Sequence, residues 1–224
     1  RSVHVSGSSD GLREALEERL ERSGAELVDE PDKAEITIQI DSQESSDIAI
    51  VPSGSTSPGS GIVIELSDVI IPNGGNKWGN GVMTDWIEKI LSGKNPDPEP
   101  NIRFWVNVRD VVDAISTICL NGKEKMPNGN YTMCGRRAWQ MADVTDEIRV
   151  LWERYNNSIN HSHTIESLSE VPSPVRGLHS KIEERPDLTK IHEALVISGG
   201  DGWHPLVPMR VSLMEMIASA KNST

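Results

Sequence analysis

The first two dozen residues constrain the fold more than any other stretch of the chain. Ser2-Val3-His4-Val5-Ser6 alternates polar and apolar residues as a strand does, and runs directly into a glycine turn, Gly7-Ser8-Ser9-Asp10-Gly11. Leu12, Ala15, Leu16 and Leu20 then recur at helical spacing, and Gly24 supplies the stop. A strand, a glycine turn and a helix in that order begin a crossover unit, whose next strand lies parallel to the first. The pattern continues with strands expected at 25–28, 34–40, 47–51 and 62–71 and a helix at 82–91. A proline-rich linker at 96–100 precedes a strand at 103–108, a helix at 110–120 and a strand at 131–134. Helices at 141–155, 188–195 and 211–220 complete the expectation, with 156–186 polar and broken by prolines. The reading is an α/β chain built on a parallel sheet, with no internal repeat.

Composition narrows the function classes. A net charge of −12 argues against a nucleic-acid partner, since phosphate binding needs clustered Lys and Arg. No apolar run approaches the roughly 20 residues of a membrane span, and no basic-then-apolar leader opens the sequence, so a cytoplasmic protein is expected. Cys119 and Cys134 sit in apolar stretches and read as buried thiols rather than as a disulfide framework. His161-Ser162-His163 lacks the further ligands of a tetrahedral site, so no metal is expected. No serine stands in a G-x-S-x-G elbow.

Six short segments carry a family resemblance. Residues 102–115 (Ile-Arg-Phe-Trp-Val-Asn-Val-Arg-Asp-Val-Val-Asp-Ala-Ile) resemble R-D-F-x-x-V-x-D-V-x-x-A at Arg103, Trp105, Val108, Asp110, Val111 and Ala114. Leu66-Ser67-Asp68-Val69-Ile70-Ile71-Pro72 looks like x-x-N-V-Y-G-P, and Gly81-Val82-Met83 like the start of G-V-I-P-x-F-I. Gly129-Asn130-Tyr131-Thr132-Met133-Cys134-Gly135 is similar to G-x-Y-N-I-G-G. Asp187-Leu188-Thr189-Lys190 matches D-x-S-K, and Gly202-Trp203-His204-Pro205 matches G-W-x-P. Together, in this order, they resemble the NAD-dependent epimerase/dehydratase family of extended short-chain dehydrogenases. The resemblance implies a reduced Rossmann-type parallel sheet with a small C-terminal substrate-type lobe. It divides the chain into a core at 1–72, a helix and linker at 73–100, a return to the core at 101–135 and the lobe at 136–224.

The family's devices are incompletely present. Its cofactor turn, G-x-x-G-x-x-G, is matched by Gly7, while Asp10 and Arg13 stand at the second and third glycine positions. Gly11 and Asp29, the latter placed to bind a ribose, are the other cofactor-side candidates. The family's catalytic tyrosine is followed four residues later by a lysine that lowers the phenol's pKa. Neither Tyr131 nor Tyr155 has such a lysine, and only about ten residues separate the strands where the tyrosine helix belongs. Tyr131 and Ser55 remain the catalytic candidates. The family's substrate half maps onto Arg103, Arg176 and Asp68; a guanidinium suits phosphate, whereas an acid at 68 repels it. Arg103 is balanced between binding and a structural ion pair, and Arg176 leans to a solvated loop. Asp110 is expected to cap a helix and Trp203 to pack the C-terminal lobe.

The functional expectation is a non-catalytic relative that needs no cofactor and binds a nucleotide, a nucleotide sugar, or a homologous or other protein subunit. One alternative is a working NAD- or NADP-dependent nucleotide-sugar epimerase, dehydratase or reductase with a rearranged site. Another is a structural subunit whose flank, bared by the missing helix, recruits a partner.

Overall fold

The computed structural model describes residues 1–57, 59–166 and 185–222. The elements are β1 (Ser2–Gly7), α1 (Gly11–Arg22), β2 (Glu26–Leu27), β3 (Ile36–Ile40), β4 (Ile48–Pro52), β5 (Ile62–Leu66) and β6 (Val69–Ile70). Then follow α2 (Asn80–Leu91), β7 (Val106–Asn107), α3 (Val108–Thr117), β8 (Gly129–Met133) and α4 (Met141–Ile159). The last two are α5 (Thr189–Ile197) and α6 (Met209–Asn222). Six strands form one sheet in the order β2-β1-β3-β4-β5-β8, every neighbouring pair parallel. The parallel α/β expectation from the opening residues is therefore met.

Strand alternation sorts the sheet into two unlike faces. On one, Val3, Val5, Ile36, Ile38, Ile40, Ile48, Ile50, Ile62, Ile64 and Leu66 are buried in a single core with Leu12, Leu16 and Leu20 of α1. Those leucines lie four apart, so they share one side of the helix. Val111 and Ile115 of α3 and Ile191 and Leu195 of α5 complete that layer. Burying one such Leu or Ile contributes about 1.5–3 kcal/mol.

The opposite face carries His4, Ser6, Thr37, Gln39, Ala49, Val51, Val63 and Glu65, and among the described residues no helix lies in the two links beside it. Parallel neighbours are usually joined by a crossover of a dozen or more residues. Here residues 41–47 join β3 to β4, and residues 53–61 join β4 to β5. The register explains how so little chain suffices. Ile62 pairs beside Ile48 and Leu66 beside Pro52, so the second link climbs back four residues and over one strand, about 14 Å. Nine residues can reach roughly twice that when extended.

The two links hold each other by hydroxyl groups. Gln39 Nε2 donates to Ser57 Oγ at 2.7 Å and to Ser42 O at 3.0 Å. Ser57 Oγ lies 3.1 Å from Ser60 Oγ, which lies 3.3 Å from Ser46 Oγ. Beneath them Ala49, Val51 and Val63 form a small apolar cluster of their own. This flank is polar and self-covered; the large exposed apolar side chains Ile159, Ile165, Val196, Ile197, Leu206 and Val211 all lie elsewhere.

A second core unites α2, α4 and α6 through Met83, Trp86, Ile87, Val144, Ile148, Leu213 and Ile217, with Ile70 and Trp105 joining from the sheet side. The stretch 136–224 thus divides, because α5 packs on the main sheet. Trp203 goes with α5: it is buried in the sheet core, and its indole N–H donates to Cys134 O at 2.8 Å.

Three local expectations are corrected. The strand expected at 62–71 breaks at Asp68, whose φ of 53° lies in the left-handed region and turns β6 out to pair with β7. The strand expected at 103–108 is reduced to Val106–Asn107, because Arg103 instead pairs across an antiparallel bridge with Trp139. Asn107 rather than Asp110 caps α3, accepting from Arg109 N. Asp110 instead accepts from Leu206 N and Val207 N, clamping the approach to α6.

Candidate functional site

Strand order reverses between β1 and β3, since the chain lays β2 on one side of β1 and β3 on the other. In open α/β sheets the crevice outside the carboxyl ends at such a point is the ligand site. Gly7, with φ 94°, ends β1 there, and a β-carbon on it would sit 2.1 Å from Ile40 O. Ser8 N then donates to Ile40 O at 2.7 Å, closing the turn against β3. Glycine at this position is therefore required by strand approach.

The next residues aim side chains into the crevice. Asp10 caps α1, its Oδ1 accepting from Leu12 N at 3.1 Å and Arg13 N at 3.3 Å. Its Oδ2 accepts from the indole N–H of Trp78 at 3.1 Å. A carboxylate thus satisfies the helix N-terminus that would otherwise attract an anion. Trp78 is buried and holds φ 61°, a conformation costing a bulky residue of order 1–3 kcal/mol unless its surroundings impose it. Beside it, Lys77 Nζ donates to Ser8 Oγ at 3.0 Å and forms an ion pair with Asp41, just past the end of β3. The 71–75 turn packs on the helix start: a β-carbon at Gly11 would meet Ile71 Cγ2 at 2.9 Å and Gly74 Cα at 3.0 Å. What approaches Gly11 is the chain's own turn, through the Ile71 side chain and the Gly74 backbone.

Arg13 turns back rather than into the crevice. Its Nη2 donates to Val5 O at 3.0 Å, and its Nε to Glu17 at 2.7 Å. Because β2 ends at Leu27, Val5 O has no strand partner on that side, and the guanidinium supplies one. Asp29 is exposed beyond β2 and makes no hydrogen bond or ion pair among the described residues.

The two catalytic candidates are not brought together. Ser55 lies in the link beyond the carboxyl end of β4. Tyr131 lies in β8, and its phenol donates at 2.6 Å to Pro127 O, before the amino end of that strand. Burial pushes the Tyr131 phenol above its ordinary pKa, the opposite of what acid–base work near neutral pH requires. Tyr155 stacks on Trp152 in α4.

On the substrate side, Arg103 and Asp68 are joined. Arg103 Nη1 donates to Asp68 Oδ1 at 3.1 Å, and Nε and Nη2 donate to Glu99 Oε1 at 2.9 and 2.5 Å. Asp68 Oδ2 also accepts from Phe104 N at 2.7 Å. Burial disfavours the charge on Arg103, but Glu99 and Asp68 outweigh it and raise its pKa. Arg176 lies outside the described residues. Among the described residues no group of three His, Cys, Asp or Glu could hold a metal ion, and no helix is long and apolar enough to cross a membrane.

Lys77 and Trp78 escaped the sequence reading. Their partners Asp10, Ser8 and Asp41 are distant in the chain, and the only local signal is a large aromatic between glycine turns and a helix.

Neither a family model nor a curated protein sequence matches the chain. Solved structures do. RMD from Pseudomonas aeruginosa, complexed with NADPH, is similar at 10% identity and a TM-score of 0.64, with 100% of this chain and 98% of that one covered. The fold is of the Rossmann type. The Bordetella bronchiseptica enzyme WbmF, in complex with NAD+ and UDP, is similar at 12% identity and a TM-score of 0.60, covering 99% and 92%. The UDP-glucose 4-epimerase of Thermus thermophilus, complexed with NAD, is similar at 12% identity and a TM-score of 0.55, covering 100% of both chains.

Proposed function

We propose that this protein is a redox-silent relative of the nucleotide-sugar epimerases and dehydratases, one that binds a nucleotide or nucleotide sugar, or a partner homologue, without turning a sugar over. The observation that carries the reading is the filled crevice. Asp10 occupies the anion position at the start of α1, Trp78 is bonded to it, and Lys77 ties Ser8 to Asp41 across the gap between β1 and β3. A dinucleotide pyrophosphate would have to displace a buried indole and compete with a carboxylate for the same backbone donors. The separation of Ser55 from Tyr131, and the raised pKa of the phenol, add to it.

The rival reading, a working NAD- or NADP-dependent enzyme, draws on the neighbours. The three solved structures are complexes with such a cofactor. Calorimetric titration with NAD(H) and NADP(H), followed by UDP-, GDP- and dTDP-sugars, separates the two. The proposal expects no nicotinamide binding, with or without a sugar nucleotide, and binding of at least one of the sugar nucleotides or a stable complex with a homologue. Micromolar nicotinamide binding, or turnover of a nucleotide sugar with cofactor bound, makes the enzyme reading the correct one.

A further inference from the structure

The two edges of the six-stranded sheet end differently. At one stands β2, two residues long, and beyond it the Arg13 guanidinium takes up Val5 O. At the other stands β8, Gly129-Asn130-Tyr131-Thr132-Met133, with neither a proline nor a charge in it. Brevity, charge and proline are the devices that blunt an edge against pairing with another chain. At five residues β8 has ordinary strand length, so it carries none of them.

The register shows which groups are left over. Gly129 N donates to Gly61 O at 3.0 Å, and Met133 O accepts from Ser67 N at 3.4 Å. Gly129, Tyr131 and Met133 therefore face β5, while Asn130 and Thr132 turn their N–H and C=O groups outward. Among the described residues neither has a backbone partner on that side. Asn130 is exposed and Thr132 half-buried. Beside this edge α5 presents Lys190, Glu193, Ala194 and Ile197, one stripe at helical spacing, across a cavity of about 280 Å³ from residues 127–131. Ile197 is 45% exposed and its neighbour Val196 50%.

Charge points to the occupant. At −12, two copies of the chain repel one another over most of their surface, so a contact between copies needs a locally balanced face. The cavity lining carries one cation and one anion, Lys190 and Glu193, and sums to zero. They lie one turn apart, so two α5 helices laid antiparallel draw the Lys190 of each copy toward the Glu193 of the other. A two-fold axis through Tyr131 serves the strands in the same way. It sets Asn130 against Thr132 of the second copy, and such opposed residues of an antiparallel ladder exchange both backbone hydrogen bonds.

We infer that β8 is a dimerisation edge, at which two copies of this chain pair antiparallel and continue the sheet across a two-fold axis flanked by their α5 helices. The inference does not rest on the crevice of β1 and β3. A five-residue strand and a nine-residue helix make a face at the small end of specific interfaces, so micromolar association is expected.

Sedimentation equilibrium of the full chain between about 1 and 200 μM should show a monomer–dimer equilibrium. T132P removes an outward N–H and leaves the bonds to β5 in place, as an edge strand permits, and should weaken dimerisation at least about tenfold. E193K, at an exposed position, should weaken it in the same direction, and the swap K190E/E193K, which keeps the two charges complementary, should restore it. If T132P does not fold, the loss in E193K and its recovery in the swap decide the question. A monomer throughout the concentration range overturns the inference, as does a dimer that T132P and E193K leave undiminished.

Discussion

The two faces of the central sheet solve the same covering problem with different means. One is lined with isoleucine, valine and leucine under α1, α3 and α5. The other alternates into serine, threonine, histidine and glutamine at β1 and β3, and two short links close over it through Ser46, Ser57 and Ser60. Parallel strands buried on both faces read as continuous apolar runs, whereas strands covered on one face alternate. Here β4, Ile48-Ala49-Ile50-Val51, is the continuous run, and it lies directly under the links. A crossover helix is needed where a wide apolar face must be hidden. Where the apolar patch is as narrow as Ala49, Val51 and Val63, a link long enough to return the chain is sufficient.

That contrast predicts unequal sensitivity. Ile38→Ala, on the helix-covered face, should cost about 2–5 kcal/mol in urea unfolding, from lost transfer energy and a residual cavity. A loss as small as that of a surface substitution would break the comparison. Asp10→Ala should cost about 2 kcal/mol, because it removes the α1 cap and strands the buried Trp78 indole N–H. Asp10→Asn keeps an acceptor and should recover much of this. Ser57→Ala, on the loop-covered face, should cost about 1 kcal/mol, the worth of one buried hydrogen bond. If it rivalled Ile38→Ala, the hydroxyl network would have to be counted as a core.

The smallest effect sharpens the contrast through pH. Asp47, at the end of the first link, is opposed by burial, but its ion pair with Lys123 at 2.8 Å and its bonds from Thr37 N and Oγ1 outweigh that and lower its pKa. A lowered folded pKa gives stability that is present above the ordinary carboxylate range and lost as pH falls through the folded value. Acid unfolding of the parent should therefore steepen below about pH 4, and D47N should lack that component. Identical acid profiles would remove Asp47 from the account of this face.

Much of the fold was legible in short-range pattern. The leucine spacing of α1, the alternation of β1 and β3, and the glycine after each turn follow from local periodicity and backbone sterics. The break at Asp68 was not, because Leu66 to Ile71 is uniformly strand-like apart from two polar residues. What turns the chain there is tertiary: Asp68 accepts from Phe104 N and Arg103, 36 and 35 residues away. The candidate site divides in the same way. Asp10 and Arg13 in place of glycines could be read directly, but their roles could not, since a cap and a carbonyl bond to Val5 are decided by where β2 ends and where Trp78 lands.

By itself, the sequence determined the period of each element, the apolar side of each strand and helix, and the chemistry available at the turn after β1. Those depend on φ/ψ preferences and on side chains within a few residues of each other. Only the tertiary structure decided that Lys77 and Trp78 fill the crevice, that two links replace helices on one face, and that β8 stands at the edge of the sheet beside α5. Each of those depends on contacts between residues tens of positions apart, which form only when burial of the shared core has brought their elements together.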